Sequence, residues 1–203
     1  MASSISRIMV VLANPEYEQD NRSEVISLLC KTFIEGVQKK GISVDLLELY
    51  KDKEFNPIFD PEEKDTKALE YQIRLKKVQM VVFFHPVWWS LFPATLKGFL
   101  DKVFTSGFAY ENRKGVQKGL FGDKIGMVFC TDERATWEER FLYRNLLKNF
   151  WQKVFFTTLG MPNKFYHFGS IRTVSDQEIG KWHKKVEKIA SSINSKDSLL
   201  DLI

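Results

Sequence analysis

The stretch Val81-Val82-Phe83-Phe84-His85-Pro86-Val87-Trp88-Trp89-Ser90-Leu91-Phe92-Pro93, continued by Ala94-Thr95-Leu96-Lys97-Gly98-Phe99-Leu100-Asp101-Lys102-Val103-Phe104, decides how the rest of the chain is read. It opens on a near-continuous apolar run, the pattern of a strand buried on both faces of a parallel sheet. A proline ends that run, two tryptophans follow, and a second proline opens a helix. Pro93 suits a first helical position, and Leu96, Phe99, Leu100, Val103 and Phe104 then fall on one helical face. A rigid, aromatic-walled turn is thereby set at the carboxyl end of a parallel strand, where open α/β sheets bind their ligands. Such walls suit a flat ring with a polar edge.

Working outward, Ile8 to Ala13 reads as a short buried strand. A loop leads into a helix whose stripe is Val25, Leu28, Leu29, Phe33 and Val37, and which stops at Lys39-Lys40-Gly41. Ile42 to Leu46 alternates like an edge strand, and a polar helical segment covers residues 61–77 before the strand Val78 to Phe84. Ile125 to Cys130 is another buried strand. One long helix is predicted from Trp137 to Leu159, and Phe165 to Phe168 is a fifth strand. Ser175 with Glu178 forms a capping-box signature for a last helix with the stripe Ile179, Trp182, Val186, Ile189 and Ile193.

This is a single α/β domain over residues 1–203 in which strands and helices alternate, without internal repeat or linker. The alternation predicts a five-stranded parallel sheet with helices on both faces. The first, third and fourth strands read as buried, the second alternates and the fifth is mixed. The strand order 2-1-3-4-5 places the last two at the edges. Ligands are then expected at the loops after the first, third and fourth strands.

The formal net charge of +4 over 203 residues is modest and spread along the chain, so it supplies no nucleic-acid arm. Cys30 and Cys130 match neither a metal-ligand spacing nor a disulfide framework and read as buried thiols. Met1 to Arg7 lacks an apolar signal core, and no apolar run approaches the roughly 20 residues of a membrane span. The expectation is a cytoplasmic protein with no metal centre and no membrane insertion.

Three loops could make a site. The first runs from Ala13 to Ser23 into a helix N-terminus, where free N–H groups favour a phosphate. Gln19, Asn21 and Ser23 offer side-chain donors and Arg22 a charge; the plainer reading is that Asn21 caps the helix with Glu24. Neither G-x-G-x-x-G nor a Walker A pattern occurs, which argues against dinucleotide-binding Rossmann and P-loop chemistry. In the second loop, the N–H groups of Val87, Trp88 and Trp89 could face a ring edge, or the tryptophans could simply fill space. His85 reads as a hydrogen-bonded structural histidine rather than a catalytic one. In the third loop Thr131 could meet a ring edge or cap the turn, and Glu138, Glu139 and Arg140 read as a solvated helix face.

With these loops placed, the chain resembles the NAD(P)H quinone oxidoreductase family of the flavodoxin-like fold, which includes mammalian quinone reductases and short bacterial relatives. The segment Phe84 to Phe104, continuing to Gly107-Phe108-Ala109-Tyr110, carries the resemblance most specifically, and weaker similarity extends from Ile8 to about Asn194. The resemblance implies that Pro86, Val87, Trp88, Trp89 and Ser90 line an isoalloxazine ring. It also implies that Asn14, Gln19 and Asn21 grip the phosphate side, and that Thr131 touches the ring. It further implies FMN, with FAD as the longer alternative, NADH or NADPH as hydride donor, a quinone-like acceptor, ping-pong kinetics and a homodimer. In such a dimer Trp89 and an aromatic of a second subunit would bound the pocket. The chain departs from the family at Asn14 (usually His), Gln19 (usually Ser) and Asp132-Glu133-Arg134 (usually Thr-Gly-Gly), the last reshaping or narrowing that side of the ring. No acid–base residue can be carried over. A second reading, from relatives that are ancillary subunits of potassium-efflux systems, is a flavin-binding regulatory module of a membrane transport system. A one-electron carrier is disfavoured, since such carriers are usually strongly acidic.

Overall fold

The computed structural model describes residues 5–15, 22–60, 62 and 65–193. Five strands, β1 (Arg7–Leu12), β2 (Ser43–Glu48), β3 (Met80–Pro86), β6 (Ile125–Thr131) and β7 (Asn163–Phe168), form one sheet in the order β2-β1-β3-β6-β7. All four pairings are parallel. Counted among the parallel strands, this is the expected order 2-1-3-4-5. The intervening hairpin β4 (Tyr110–Arg113) and β5 (Val116–Gly119) forms a separate two-stranded sheet that the sequence reading did not anticipate.

The central strands serve two cores because successive side chains point to opposite faces. In β3, Val81 and Phe83 join one core, while Met80, Val82 and Phe84 join the other. On the second face, α1 (Val25–Gln38) packs with α7 (Asp176–Ser192). There Phe84 and Phe129 stack at 4.7 Å, and Phe129 and Tyr166 at 4.9 Å, as the strand register requires. Within α1, the buried residues are Val25, Ile26, Leu29, Cys30, Phe33, Gly36 and Val37, but Leu28 is exposed. Leu28 sits one position off the stripe set by Val25, Leu29 and Phe33, so it faces outward.

The first face is covered by α2 (Thr66–Lys76), α3 (Ala94–Val103) and the segment following β6. Pro93 directly precedes α3 rather than opening it, and its carbonyl accepts the first helical N–H groups, from Leu96 and Lys97. The loop before α2 lies on α3: Lys102 Nζ, almost wholly buried, donates to Asn56 O at 2.8 Å and pairs with Asp65 at 2.7 Å. Contact is so close that a Cβ on Gly98 would lie 2.1 Å from the Pro57 carbonyl oxygen. Because backbone cannot swing aside, Gly98→Ala is expected to cost about 1–3 kcal/mol, read as a lower urea midpoint with an unchanged m-value.

The long helix expected after β6 is broken into α4 (Thr136–Phe141), α5 (Leu146–Asn149), a π-helical turn (Phe150–Phe155) and α6 (Phe156–Leu159). Arg144 and Asn145 adopt left-handed backbone between α4 and α5. The inward residues Leu147, Trp151, Phe156 and Leu159 are spaced by four, five and three. The five-residue step is what a π turn supplies and a continuous α-helix does not. Among the described residues, no helix is long and apolar enough to cross a membrane.

Candidate functional site at the strand ends

The carboxyl ends of β1, β3, β6 and β7 enclose a cavity of about 120 Å³. Asn14, Arg22 and Ser23 come from the loop after β1, Pro86, Val87 and Trp88 from β3 and its loop, Thr131 and Glu133 from β6 and its loop, and Ile171 and Arg172 from the loop after β7. This is the switch point of the strand order, because the chain leaves β1 toward β2 on one side and reaches β3 on the other. The structure thus brings together Asn14, Pro86, Val87, Trp88 and Thr131. Gln19 and Asn21 lie outside the described residues.

Asn14 is turned toward α1, its amide nitrogen donating to Ser23 O at 2.8 Å and to Ser27 Oγ at 3.0 Å. It therefore fixes where the helix begins. Thr131 is 5% exposed and lines the cavity, and a threonine hydroxyl there can both donate to and accept from a ligand.

The second loop differs from expectation in its backbone. Val87 N–H donates to Thr131 O at 2.7 Å, and Trp88 and Leu91 exchange two hydrogen bonds of 2.9 Å. Those N–H groups are therefore engaged within the protein. Trp89 and Ser90 form the two-residue tip, with φ of 50° and 66°. This is the geometry of the tight hairpin turn that favours φ > 0 at both positions. Their N–H groups make no hydrogen bond among the described residues. Trp89 sits on the rim, 100% exposed, rather than in the cavity lining.

His85 is fully buried, its Nδ1 donating to Pro86 O at 2.8 Å and its ring stacked on Trp151 at 5.6 Å. Burial holds its pKa down at about 4, so the ring is neutral at physiological pH. Among the described residues its Nε2 has no hydrogen-bond partner. Cys30 and Cys130 are buried thiols, and burial raises the pKa of both.

In the third loop Glu133 pairs with Arg172 at 2.6 Å, and both line the cavity. Asp132 is buried and accepts from the Arg134 N–H at 3.0 Å, the Arg134 guanidinium at 3.0 and 3.3 Å, and His167 Nε2 at 3.3 Å. Arg134 continues across the gap to Ser90 Oγ at 2.8 Å and stacks over Tyr143 at 4.3 Å. Its carbonyl accepts from Ser170 N–H at 2.8 Å, beside Gly169, where a Cβ would come within 2.6 Å of that oxygen.

Glu139 is a correction to the solvated-face reading. It is buried, accepts from Leu147 N–H at 3.1 Å and thereby starts α5. Glu138 accepts from Ala135 N–H at 2.7 Å. The Asp132–Arg134 contact had a sequence signal in an aspartate two residues before its partner, the spacing of an Asx turn. His167 had none, since it depends on β7 pairing with β6 in the observed register.

Burial alone would push the Asp132 carboxyl up, but the hydrogen bonds from His167 and Arg134 outweigh it and hold the pKa below the ordinary Asp value. A carboxylate with a lowered folded pKa contributes its full stabilisation above the unfolded value of about 3.9 and loses it as pH falls through the folded one. Asp132→Asn is accordingly expected to cost about 1–3 kcal/mol near neutral pH, with the gap to wild type closing below about pH 4. Urea unfolding over a pH series measures this.

Several known proteins resemble the chain. An uncharacterized NAD(P)H oxidoreductase of Haemophilus influenzae is 33% identical over 102 residues, covering 46% of this chain and 50% of that protein. NAD(P)H dehydrogenase [quinone] 1 of Cavia porcellus is 26% identical over 154 residues, covering 64% and 54%. The chain thus spans about half the length of these curated relatives. An FMN-dependent NADH-azoreductase from Bacillus anthracis, solved in complex with FMN, shares the fold with a TM-score of 0.77 at 16% identity, covering 92% of this chain and 98% of that one. Residues 6–190 match the family described as having a flavodoxin-like fold, and by that match, with the sheet order observed here, the chain belongs to it.

Proposed function

We propose that this protein is a flavin-dependent NAD(P)H oxidoreductase that takes hydride from NADH or NADPH and passes it to a quinone or a similar small acceptor. The observation that carries this reading is the convergence of Pro86, Val87, Trp88 and Thr131 on one cavity at the switch point. The names of the relatives agree with it. FMN is the flavin proposed, in keeping with the azoreductase complex; FAD is the longer alternative.

The residues fit such a group. Pro86 and Val87, tied to Thr131 O, give a stiff wall, and Trp88 an aromatic one. Thr131 Oγ and the N–H groups of Trp89 and Ser90 are donors available to a polar ring edge. Preorganised donors of this kind stabilise developing negative charge without reorganising. Ser23 and Arg22, at the entrance to α1, supply the phosphate side, with Arg22 held at 3.1 Å from Asp176. The chemistry a bound flavin supplies is hydride acceptance at N5 and its return to an acceptor. His85, neutral and buried against Trp151, holds the strand end.

Donor and acceptor would use the same open face in turn, giving ping-pong kinetics. Trp89 and Leu91 in the loop after β3 and Trp137, Phe141 and Leu142 at α4 are all exposed, apolar surface suited to a second copy of the chain. Steady-state oxidation of NADH and NADPH with menadione tests the reading. Flavin-dependent turnover with parallel double-reciprocal plots is expected. Tight flavin binding without turnover would leave the fold and remove the activity.

A further inference from the structure

The tip Trp89–Ser90 holds two side-chain-bearing residues in a backbone region that L-residues rarely occupy, and bulky aromatic ones least of all. A contact from outside the tip adds to what the turn itself supplies to hold that conformation. The Trp88–Leu91 hydrogen bonds close the turn but belong to it. From outside the tip, the Arg134 guanidinium reaches the Ser90 side chain, donating from Nη1 to Oγ at 2.8 Å. Arg134 is itself fixed from four sides: by the Asp132 carboxylate, by the Tyr143 ring under its guanidinium, by Ser170 N–H on its carbonyl, and by its own N–H on Asp132. A planar guanidinium held in this way is a rigid strut, since its donors are preset in one plane. The strut spans the gap between the loop after β3 and the loop after β6, both of which contribute residues to the cavity lining.

We infer that Arg134 is a positioning residue for the proposed flavin site: through Ser90 it holds the left-handed turn that keeps Trp88 and the tip N–H groups in place at the cavity mouth. The inference rests on the flavin reading for its ligand, but not for the strut itself. Arg134 is not expected to touch the reacting atoms.

The test uses FMN titration of the flavin-free full-length protein, followed by flavin fluorescence, alongside amide exchange at the turn. Arg134→Ala is expected to weaken FMN binding about tenfold, the scale of one charge-assisted hydrogen bond, and to speed exchange of the Leu91 N–H by a similar factor. Glycine occupies left-handed backbone without strain. Ser90→Gly added to Arg134→Ala is therefore expected to restore both quantities to within about threefold of wild type. A merely structural loss at Arg134 would not be rescued by glycine at position 90. Arg134→Ala binding FMN as wild type does, or a double variant as impaired as the single one, overturns the inference. If the wild-type protein takes up no flavin, the flavin reading fails, while Leu91 exchange still decides the strut.

Discussion

Truncating Trp151 to alanine is expected to lower the unfolding free energy by about 3–5 kcal/mol, the range for a large aromatic removed from a tight core. Trp151 is fully buried in the π-helical turn, with Phe83 at 4.9 Å, Phe92 and Phe155 at 5.3 Å, Phe156 at 5.6 Å and His85 stacked at 5.6 Å. Neighbours anchored on β3, on the loop before α3, on the π turn and on α6 cannot all collapse into the vacated space, so the cavity term remains. The indole N–H has no hydrogen-bond partner among the described residues, so the loss is one of packing rather than of a broken hydrogen bond. Trp151→Phe is therefore expected to recover most of it, leaving a cost of about 1–2 kcal/mol. Urea denaturation of the three proteins at one pH measures the series. Equal losses for alanine and phenylalanine would show that the indole N–H, not the packing, matters.

The second large effect concerns the site. Pro86→Gly combined with Trp88→Ala is expected to weaken FMN binding by about thirtyfold or more, the scale of a central aromatic anchor, while far-UV circular dichroism stays unchanged. Proline fixes φ at the strand end, and Trp88 is the aromatic that lines the cavity. Trp89→Ala alone is expected to do less to flavin affinity, because that ring is on the rim. If the paired variant binds FMN as tightly as wild type, the wall after β3 is not the ring site.

The sequence made the sheet legible because three of its strands are apolar throughout and two are not. Val81 to Phe84 and Ile125 to Cys130 have no polar face to show solvent, so they had to be central, and the order followed. The same stretch exposed the cavity wall at Pro86 and Trp88. Other features depended on contacts between distant segments. The helix after β6 looked continuous because its apolar residues are dense. Only the need to bring Trp151 and Phe156 onto one face, five residues apart, introduces the π turn. Glu139 looked solvated beside Glu138 and Arg140, yet the restart of the chain at Leu147 buries it. The Asp132–Arg134–Ser90 strut requires two loops, 44 residues apart at Arg134 and Ser90, to be neighbours. Local pattern carries no trace of that. The hairpin Tyr110–Gly119 is short and polar, too weak in alternation to stand out.

Titration of freshly purified, flavin-depleted protein with FMN, followed by visible absorption and flavin fluorescence, tests the central claim most directly. The account predicts saturable uptake of one flavin per chain, with a perturbed spectrum that is lost in the Pro86→Gly/Trp88→Ala protein. A folded wild-type protein that stays colourless and takes up neither FMN nor FAD would contradict it.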